Sequence, residues 1–360
     1  MSEPKEGRTL ADTFRRLIAA SGPISLAHYM AEANARYYAK ADPLGATGDF
    51  ITAPEISQMF GELIGLWLTD MWDRAGRPEP VHYVELGPGR GTLARDALRA
   101  MAQHGLAPRV HLVEGSPALR EVQRAALPQA EFHHDLSSVR EEGALLLVAN
   151  EFLDALPVRQ LLKTADGWRE LMVVPEGDRF VCVPGALPMD SAVPEHRRDL
   201  PEGALIETSP AAAAIVGDIA ARLAAQGGAA LLVDYGHAEQ RTGSTFQAVR
   251  AHQKADPFAD PGEADLTAHV DFAALAEVAQ ARGARWLGTT TQGRFLSALG
   301  IAARAAALGS AAPEHGEAIE AAVHRLTDPR EMGELFKVMG LIAHGWPNAA
   351  GFDAQNPNSA

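Results

Sequence analysis

From about residue 81 the chain alternates strand-length apolar runs with helical stretches, and that alternation leaves few folds open. Val81 to Leu86 reads as a strand, followed by the turn Gly87-Pro88-Gly89-Arg90-Gly91 and a helix from Thr92. Arg109 to Glu114 is a second strand, with a helix from Ser116, and a weaker third lies at Glu131 to His133. Ala144 to Ala149 is an unbroken apolar run, as expected for a strand covered on both faces, and Ala229 to Val233 repeats it. Arg285 to Thr291 and Glu334 to Ile342 supply two more. Such a pattern predicts a doubly wound α/β fold, a mostly parallel sheet with helices on both sides.

Three helical segments precede this region. The third starts at Pro54, suited to a first helical turn, and carries Ile56, Met59, Phe60, Leu63, Ile64, Trp67, Leu68 and Met71 at helical spacing. A stripe of that size must be covered, so residues 1–74 are expected to form a helical N-terminal cap contributing to the active site, with the main domain at 75–346. Residues 158–207 read as short strands with Gly and Pro turns, and 240–270 as a polar loop. Both follow strand ends, where open α/β sheets form their ligand crevice, so both are expected to shape the substrate site. The last segment, 347–360, is expected to be a flexible tail. The stretch from Gly293 to Leu308 reads as a helix that either covers the sheet or makes a dimer contact, which leaves the oligomeric state open.

Composition narrows the function classes. A net charge of -14 argues against a nucleic-acid partner, which would require clustered Lys and Arg. The single cysteine, Cys182, cannot form an internal disulfide or a Cys-rich metal site, and it reads as a buried small hydrophobe. No stretch approaches the roughly 20 apolar residues of a membrane span. Met1 to Arg8 has no apolar signal core, and Glu3 and Glu6 argue against a transit peptide, so a cytoplasmic protein is expected.

The turn after the first strand is the candidate ligand site. Its glycines, Gly87, Gly89 and Gly91, with Pro88 between the first two, allow a tight turn and close approach of a ligand to the backbone. The spacing is Gly-x-Gly-x-Gly, not the Gly-x-Gly-x-x-Gly of dinucleotide folds, and Glu85 stands just before it. A pyrophosphate would be repelled by that carboxylate, whereas a sulfonium ligand with an α-amino group would be attracted. Glu114, ending the second strand, can accept from both ribose hydroxyls, a feature shared with nicotinamide-binding proteins. Asp135, after the third strand, reads either as an acceptor for an adenine amino group or as a helix N-cap or loop carboxylate.

Longer stretches carry a family resemblance. Tyr38-Ala39-Lys40, Gly45 and Gly48-Asp49-Phe50-Ile51-Thr52-Ala53-Pro54-Glu55-Ile56-Ser57-Gln58-Met59-Phe60-Gly61-Glu62-Leu63 resemble the signature of the MidA family of methyltransferases. Further matches are Glu85 to Gly91, Asn150-Glu151-Phe152-Leu153-Asp154-Ala155-Leu156-Pro157-Val158, Asp234-Tyr235-Gly236, and Pro261-Gly262 through Asp265-Leu266-Thr267-Ala268-His269-Val270-Asp271-Phe272. The resemblance implies a class I, Rossmann-like methyltransferase fold with a mostly parallel seven-stranded sheet and inserted substructure. It also implies S-adenosylmethionine as methyl donor and a protein arginine substrate. In the mitochondrial member of the family the product is a symmetrically dimethylated arginine on a core subunit of respiratory complex I. With no targeting extension evident, the resemblance points to a bacterial member.

Transfer from a sulfonium to an arginine requires an in-line approach and a grip on a guanidinium that is always protonated. Asn150 and Glu151 follow the fourth strand, whose end faces the crevice; Glu151 is the candidate guanidinium clamp and Asn150 a polar positioning group that also borders the cofactor. Asp154 is a second carboxylate, or else a charge at a helix N-terminus. Asp49 and Glu55 lie in the signature block, and Gly48 implies a backbone close to a ligand; Glu55 serves equally as a first-turn helix charge. His269 is either a general base or a structural hydrogen-bonder. The adjacent His133 and His134 would point to opposite faces of a strand, and no other His/Cys cluster is evident, so no metal is expected. The alternatives kept open are an assembly factor that binds the cofactor and holds a client protein, and a small-molecule methyltransferase with a closed apolar pocket.

Overall fold

The computed structural model describes residues 9–40, 51–250 and 253–352. Asp49, Gly48 and Gly45 of the signature block lie outside the described residues. The chain divides into two compact units. The larger comprises Asp42–Asp154, Ala212–Gln240 and His269–Ala360, the smaller Met1–Ala41, Ala155–Ala211 and Arg241–Ala268. These boundaries differ from those expected: the long helix of the signature block goes with the sheet, while the first two helices go with the two inserted stretches.

Among the described residues the sheet of the larger unit runs through seven strands, β1 (Val81–Leu86), β2 (Arg109–Val113), β3 (Glu131–His133), β4 (Ala144–Asn150), β5 (Gly228–His237), β6 (Arg285–Thr291) and β7 (Phe336–Ile342), with the two-residue strand Val270–Asp271 paired to the end of β5. Their order across the sheet is 3-2-1-4-5-7-6. β1 to β5 run parallel, and β7 is antiparallel to both of its neighbours. The order reverses between β1 and β4, and open α/β sheets bind ligands at the carboxyl ends of strands flanking such a switch. β4 and β1 are buried along their whole length, which is why β4 is apolar at every position up to Asn150.

Helix α1 (Gln58–Arg74) packs against α2 (Thr92–Gln103), the helix that leaves the glycine-rich turn. The helix expected from Pro54 is interrupted: Ala53–Ile56 forms one turn, Ser57 is extended at φ -161°, and its hydroxyl then accepts the Met59 amide to cap α1. Gly61 and Gly65 let α1 approach α2 closely. A Cβ on Gly65 would stand 2.5 Å from the Ala97 carbonyl oxygen, and one on Gly61 2.9 Å from Asp96 Cβ. The buried Glu62 on the same helix receives Arg99 at 2.9 Å and Arg304 at 2.7 Å, joining α1, α2 and Ile301–Ala311. The stretch expected as one helix from Gly293 is therefore two, Gln292–Ala298 and Ile301–Ala311, separated by Gly300 at φ 85°. The tail is not frayed where it is described: Trp67 Nε1 donates to the Ala350 carbonyl at 3.0 Å, and Phe352 packs edge-on against Trp67.

In the smaller unit, helices Leu10–Ser21 and Leu26–Lys40 cover an antiparallel sheet of Ile24–Ser25, Gly167–Glu176, Arg159–Thr164 and Leu205–Thr208, with Arg179–Pro188 added to Gly167–Glu176. Phe14, Tyr29, Val173 and Phe180 form the centre of its core. Residues 240–270, expected as a polar loop, contain a three-stranded sheet of Gln253–Ala255, Gln247–Arg250 and Asp265–Thr267. Short polar strands carry too few apolar residues for period-two alternation to be seen. The buried Asn34 ties this segment to Ala155, accepting from Leu266 N at 3.0 Å and donating to Leu266 O at 2.8 Å and Ala155 O at 3.0 Å. Cys182 is half-buried on Arg179–Pro188, and burial pushes its thiol up to about 11, so it stays protonated. Among the described residues no helix is long and apolar enough to cross a membrane.

Candidate functional site

Four side chains with acceptor atoms stand at or beside the carboxyl ends of β1, β2 and β4 in the larger unit. Glu85, on β1, is 2% exposed, and its Oε2 accepts the Tyr83 hydroxyl at 2.6 Å. Burial pushes its carboxyl up to about 8, against the lowering effect of that hydrogen bond. The turn that follows holds Gly87, Gly89 and Gly91 at φ 61°, 54° and 80°, a left-handed run that side chains disfavour. Gly87 also yields space to Phe152, whose ring carbon would lie 2.7 Å from an added Cβ. Gly91 N donates to Pro88 O at 2.7 Å, closing the turn.

Glu114 follows β2 and is half-buried, with its pKa raised by burial. Its Oε1 accepts Ser116 N at 2.7 Å, and Oε2 faces Gln123 Nε2 at 3.3 Å. Gln123 also donates to Gly89 O at 2.7 Å, so one fully buried amide links the glycine turn to the carboxylate of the next strand. Sequence reasoning missed Gln123, because a glutamine within a polar helix reads as surface. Asp135 is exposed and stands at the N-cap position of Leu136–Ser138 without capping it. The Ser137 hydroxyl bonds it and holds its carboxyl below the usual range.

Beyond β4 the backbone takes an unusual course. Asn150 is buried, and its Oδ1 has no hydrogen-bond partner among the described residues. Its Nδ2 donates to Glu151 Oε1 at 3.2 Å, an atom that also accepts the Ala53 amide at 2.9 Å. Glu151 itself sits at φ 51°, a left-handed conformation that costs a side-chain-bearing residue about 1–2 kcal/mol. Strain of this kind persists only where surrounding contacts impose it. Here the contact is Asp234 on β5: its Oδ2 accepts the amides of Phe152, Leu153 and Asp154 at 3.0, 2.7 and 3.2 Å, and Oδ1 that of Tyr235 at 2.9 Å. Burial pushes Asp234 up to about 7, with those four amides pulling the other way. No helix begins at Asp154, so its reading as a helix N-terminal charge is corrected; it is buried in a turn. The sequence signal for Asp234 was the Asp234-Tyr235-Gly236 match, to which no role had been attached.

Burial raises the Tyr235 phenol well above its ordinary value, and the negative field of Glu151, Asp154 and Asp234 adds to it. His269 stacks with that ring at 6.4 Å between centroids. Glu55 faces the glycine turn from the opposite flank: Oε1 accepts the Thr92 hydroxyl at 2.5 Å, and Oε2 lies 3.9 Å from Arg90. Glu55, Thr92, Arg90, Arg95 and Arg99 line a cleft of about 600 Å³ on that flank. The structure thus joins Glu151 to Asn150, and Glu114 through Gln123 to the glycine turn, with Glu85 on the strand before it, while Asp135 keeps to its own loop.

The acceptor set fits the cofactor implied by the sequence. Carboxylates at Glu85 and Glu114 and the unsatisfied Asn150 Oδ1 are matched by a ligand rich in donors and positive charge, which is what a sulfonium nucleoside with an α-amino group presents. A pyrophosphate, all acceptors and negative, would leave Asn150 Oδ1 unsatisfied.

One expectation about histidines is corrected. His133 does have partners, although not His134: they come from neighbouring strands. In the parallel register His111 on β2 faces Glu131 on β3, and β1 sets His82 on the same sheet face. His111, Glu131 and His133 offer ligand atoms within 4.8 Å of one another. Burial holds the His111 imidazole down to about 4, so it is neutral at pH 7.

Comparison with known proteins agrees with this geometry. Residues 63–290 match a family described as S-adenosyl-L-methionine-dependent methyltransferase. A mitochondrial relative from Drosophila melanogaster, named as a protein arginine methyltransferase NDUFAF7 homolog, is 38% identical over 93% of this chain and 85% of its own length. Its counterpart in Homo sapiens is 37% identical over 91% and 82%. A crystal structure from Burkholderia thailandensis bound to S-adenosylhomocysteine superposes with a TM-score of 0.83, at 32% identity, covering 95% of this chain and 93% of that one. The expectation of a cytoplasmic bacterial protein is corrected by the relatives from Drosophila melanogaster and Homo sapiens, which are named as mitochondrial proteins.

Proposed function

We propose that this chain, which belongs to the family of S-adenosyl-L-methionine-dependent methyltransferases, transfers methyl groups to arginine side chains of a protein. The methyltransferase activity and its donor are shared with the family; the arginine acceptor is the step taken here. The observation that carries it is Glu151, a carboxylate held in a left-handed conformation at the end of β4 beside the unsatisfied Asn150 Oδ1.

S-adenosylmethionine, when bound, supplies a methyl group on a cationic sulfur. The residues suited to hold it are Glu114 for the ribose hydroxyls, Asn150 Oδ1 for a donor on the ligand, Glu85 as counter-charge, and the glycine turn for close backbone approach. Asp135 is suited to an adenine amino group, being exposed on the loop after β3. Glu151 draws the positive charge of the acceptor guanidinium toward itself, leaving more electron density on the opposite nitrogen. His269 beside Tyr235 is suited to take the proton that the methylated guanidinium sheds. Glu55, hydrogen-bonded to Thr92, stiffens the start of α2 behind the turn.

The client to which the family resemblance points is a core subunit of respiratory complex I. The test is transfer of tritium from labelled S-adenosylmethionine into a lysate of cells lacking this protein, intact chain against Glu151→Gln. A single labelled band near the size of a complex I core subunit, with label in dimethylarginine and lost with Glu151→Gln, is expected. Donor binding without any labelled protein would overturn the arginine assignment.

A further inference from the structure

We propose that His111, Glu131 and His133 form a binding site for a divalent transition-metal cation of the zinc class at the edge of the large sheet. The strand register creates it. β2 and β3 run parallel with His111 opposite Glu131, and His133 two residues further on shares the Glu131 face of its strand. His111 Nδ1 lies 3.0 Å from His133 Nε2 and 3.9 Å from Glu131 Oε2. Ligands about 2.0–2.1 Å from a tetrahedral metal stand roughly 3.3 Å apart, so these separations straddle the required value. The chemistry of two imidazoles and one carboxylate is that of a three-ligand site with a fourth position for water, and Glu131, half-exposed on its side chain, leaves that position open to solvent.

The second observation is how the other ring nitrogens are held. Ligating histidines are ordinarily oriented by a hydrogen bond from the nitrogen that does not touch the metal. His133 Nδ1 lies 3.0 Å from Ser138 Oγ, and that hydroxyl donates to Asp135 O at 2.8 Å. The Ser138 oxygen therefore accepts from His133 Nδ1–H, which leaves His133 Nε2 as a lone pair directed at His111. His111 Nε2 lies 2.8 Å from His82 Nδ1. His82 is 1% exposed, and its Nε2 has no partner among the described residues. With no ion, the proton on His111 Nδ1 satisfies His133. With a cation, that proton resides on His111 Nε2 and donates to His82 Nδ1, while the His82 proton moves to its unpartnered Nε2. Each ring keeps one proton in both states: the cation takes the place between His111 and His133 that a proton held, and that proton is relocated and not released. This arrangement ties the short edge strand β3 to β2, where Glu114 N donates to His133 O at 3.0 Å.

The test is titration of the full-length, tag-free protein with Co²⁺, read by its d–d absorption, and then displacement with Zn²⁺. One equivalent is expected to bind with the absorption of a four-coordinate N/O site. His133→Ala is expected to weaken binding more than about 100-fold, beyond what loss of an orienting partner costs, and Ser138→Ala about 10-fold. Glu131→Gln lies on an exposed edge and keeps the fold, so it serves even if His133→Ala does not fold; it is expected to weaken binding at least about 10-fold. Absence of saturable binding, or equal binding by wild type and Glu131→Gln, would overturn the proposal.

Discussion

Glu151 accepts the Ala53 amide through Oε1 at 2.9 Å while its own backbone stands at φ 51°. The hydrogen bond joins the signature block to the end of β4, and the backbone conformation is the strained element of the pair. Comparing Glu151→Gly with Glu151→Ala isolates that strain, because both variants lose the same side-chain contacts. The glycine variant is expected to be more stable by about 1 kcal/mol in urea unfolding, and both are expected to lose methyl transfer. Equal stability would mean that the turn relaxes and stores no strain.

Asp234 is expected to act as a positioning residue for that turn. Asp234→Asn keeps the shape but can present an amide donor to backbone donors, leaving amides of residues 152–154 unsatisfied. The expected cost is about 2–3 kcal/mol, with methyl transfer down roughly 100-fold from displacement of Glu151. Isothermal titration with S-adenosylhomocysteine is expected to show a smaller loss than methyl transfer does, since Glu85 and Glu114 lie on other strands and only Asn150 adjoins the displaced turn.

Glu85 gives a pH signature. Its carboxyl is raised from 4.5 to about 8 in the folded protein, so between those values the unfolded chain is ionised while the folded one holds its proton. Its contribution is fully present below 4.5 and is lost as pH rises toward 8, so stability should fall across that window. A cationic ligand favours the ionised form, so binding S-adenosylmethionine at pH 7 should release about one proton. Calorimetry in two buffers of different ionisation enthalpy measures this directly, and Glu85→Gln should remove both the proton release and the pH slope. Unchanged release in Glu85→Gln would assign the proton to another group.

The sheet was readable because the central parallel strands bury both faces, which turns Ala144–Ala149 and Ala229–Val233 into unbroken apolar runs. Glu85 and Glu114 were legible for a related reason: a charge at the end of such a run has no place in a core. Contacts between elements distant in sequence were not legible. His111 meets Glu131 only through strand register, Gln123 meets Gly89 only through helix docking, and Asp234 meets residues 152–154 from 80 positions away. The strands around Gln247–Arg250 show no apolar alternation because the residues buried there include the polar Asp265 and Thr267 beside Leu266.

Gly65 supports the site from behind, since α2 begins at the glycine turn and lies directly on α1. An alanine there would place its Cβ 2.5 Å from the Ala97 carbonyl oxygen and 2.7 Å from Ala97 Cα, both backbone atoms that no rotamer change can move. The helices must separate, and overpacking of this kind costs about 1–3 kcal/mol. Gly61→Ala meets Asp96 Cβ at 2.9 Å and the Leu93 carbonyl oxygen at 3.1 Å, a milder clash, so its cost is expected to be smaller. Separation at Gly65 also pushes Thr92 away from Glu55, which shifts the start of α2 and the turn before it. Both variants are therefore expected to weaken S-adenosylhomocysteine binding as well as lower the urea midpoint, Gly65→Ala through the larger clash and Gly61→Ala through contact with Leu93 beside Thr92. Equal stability of both variants with wild type would mean that the two helices are not held at this separation.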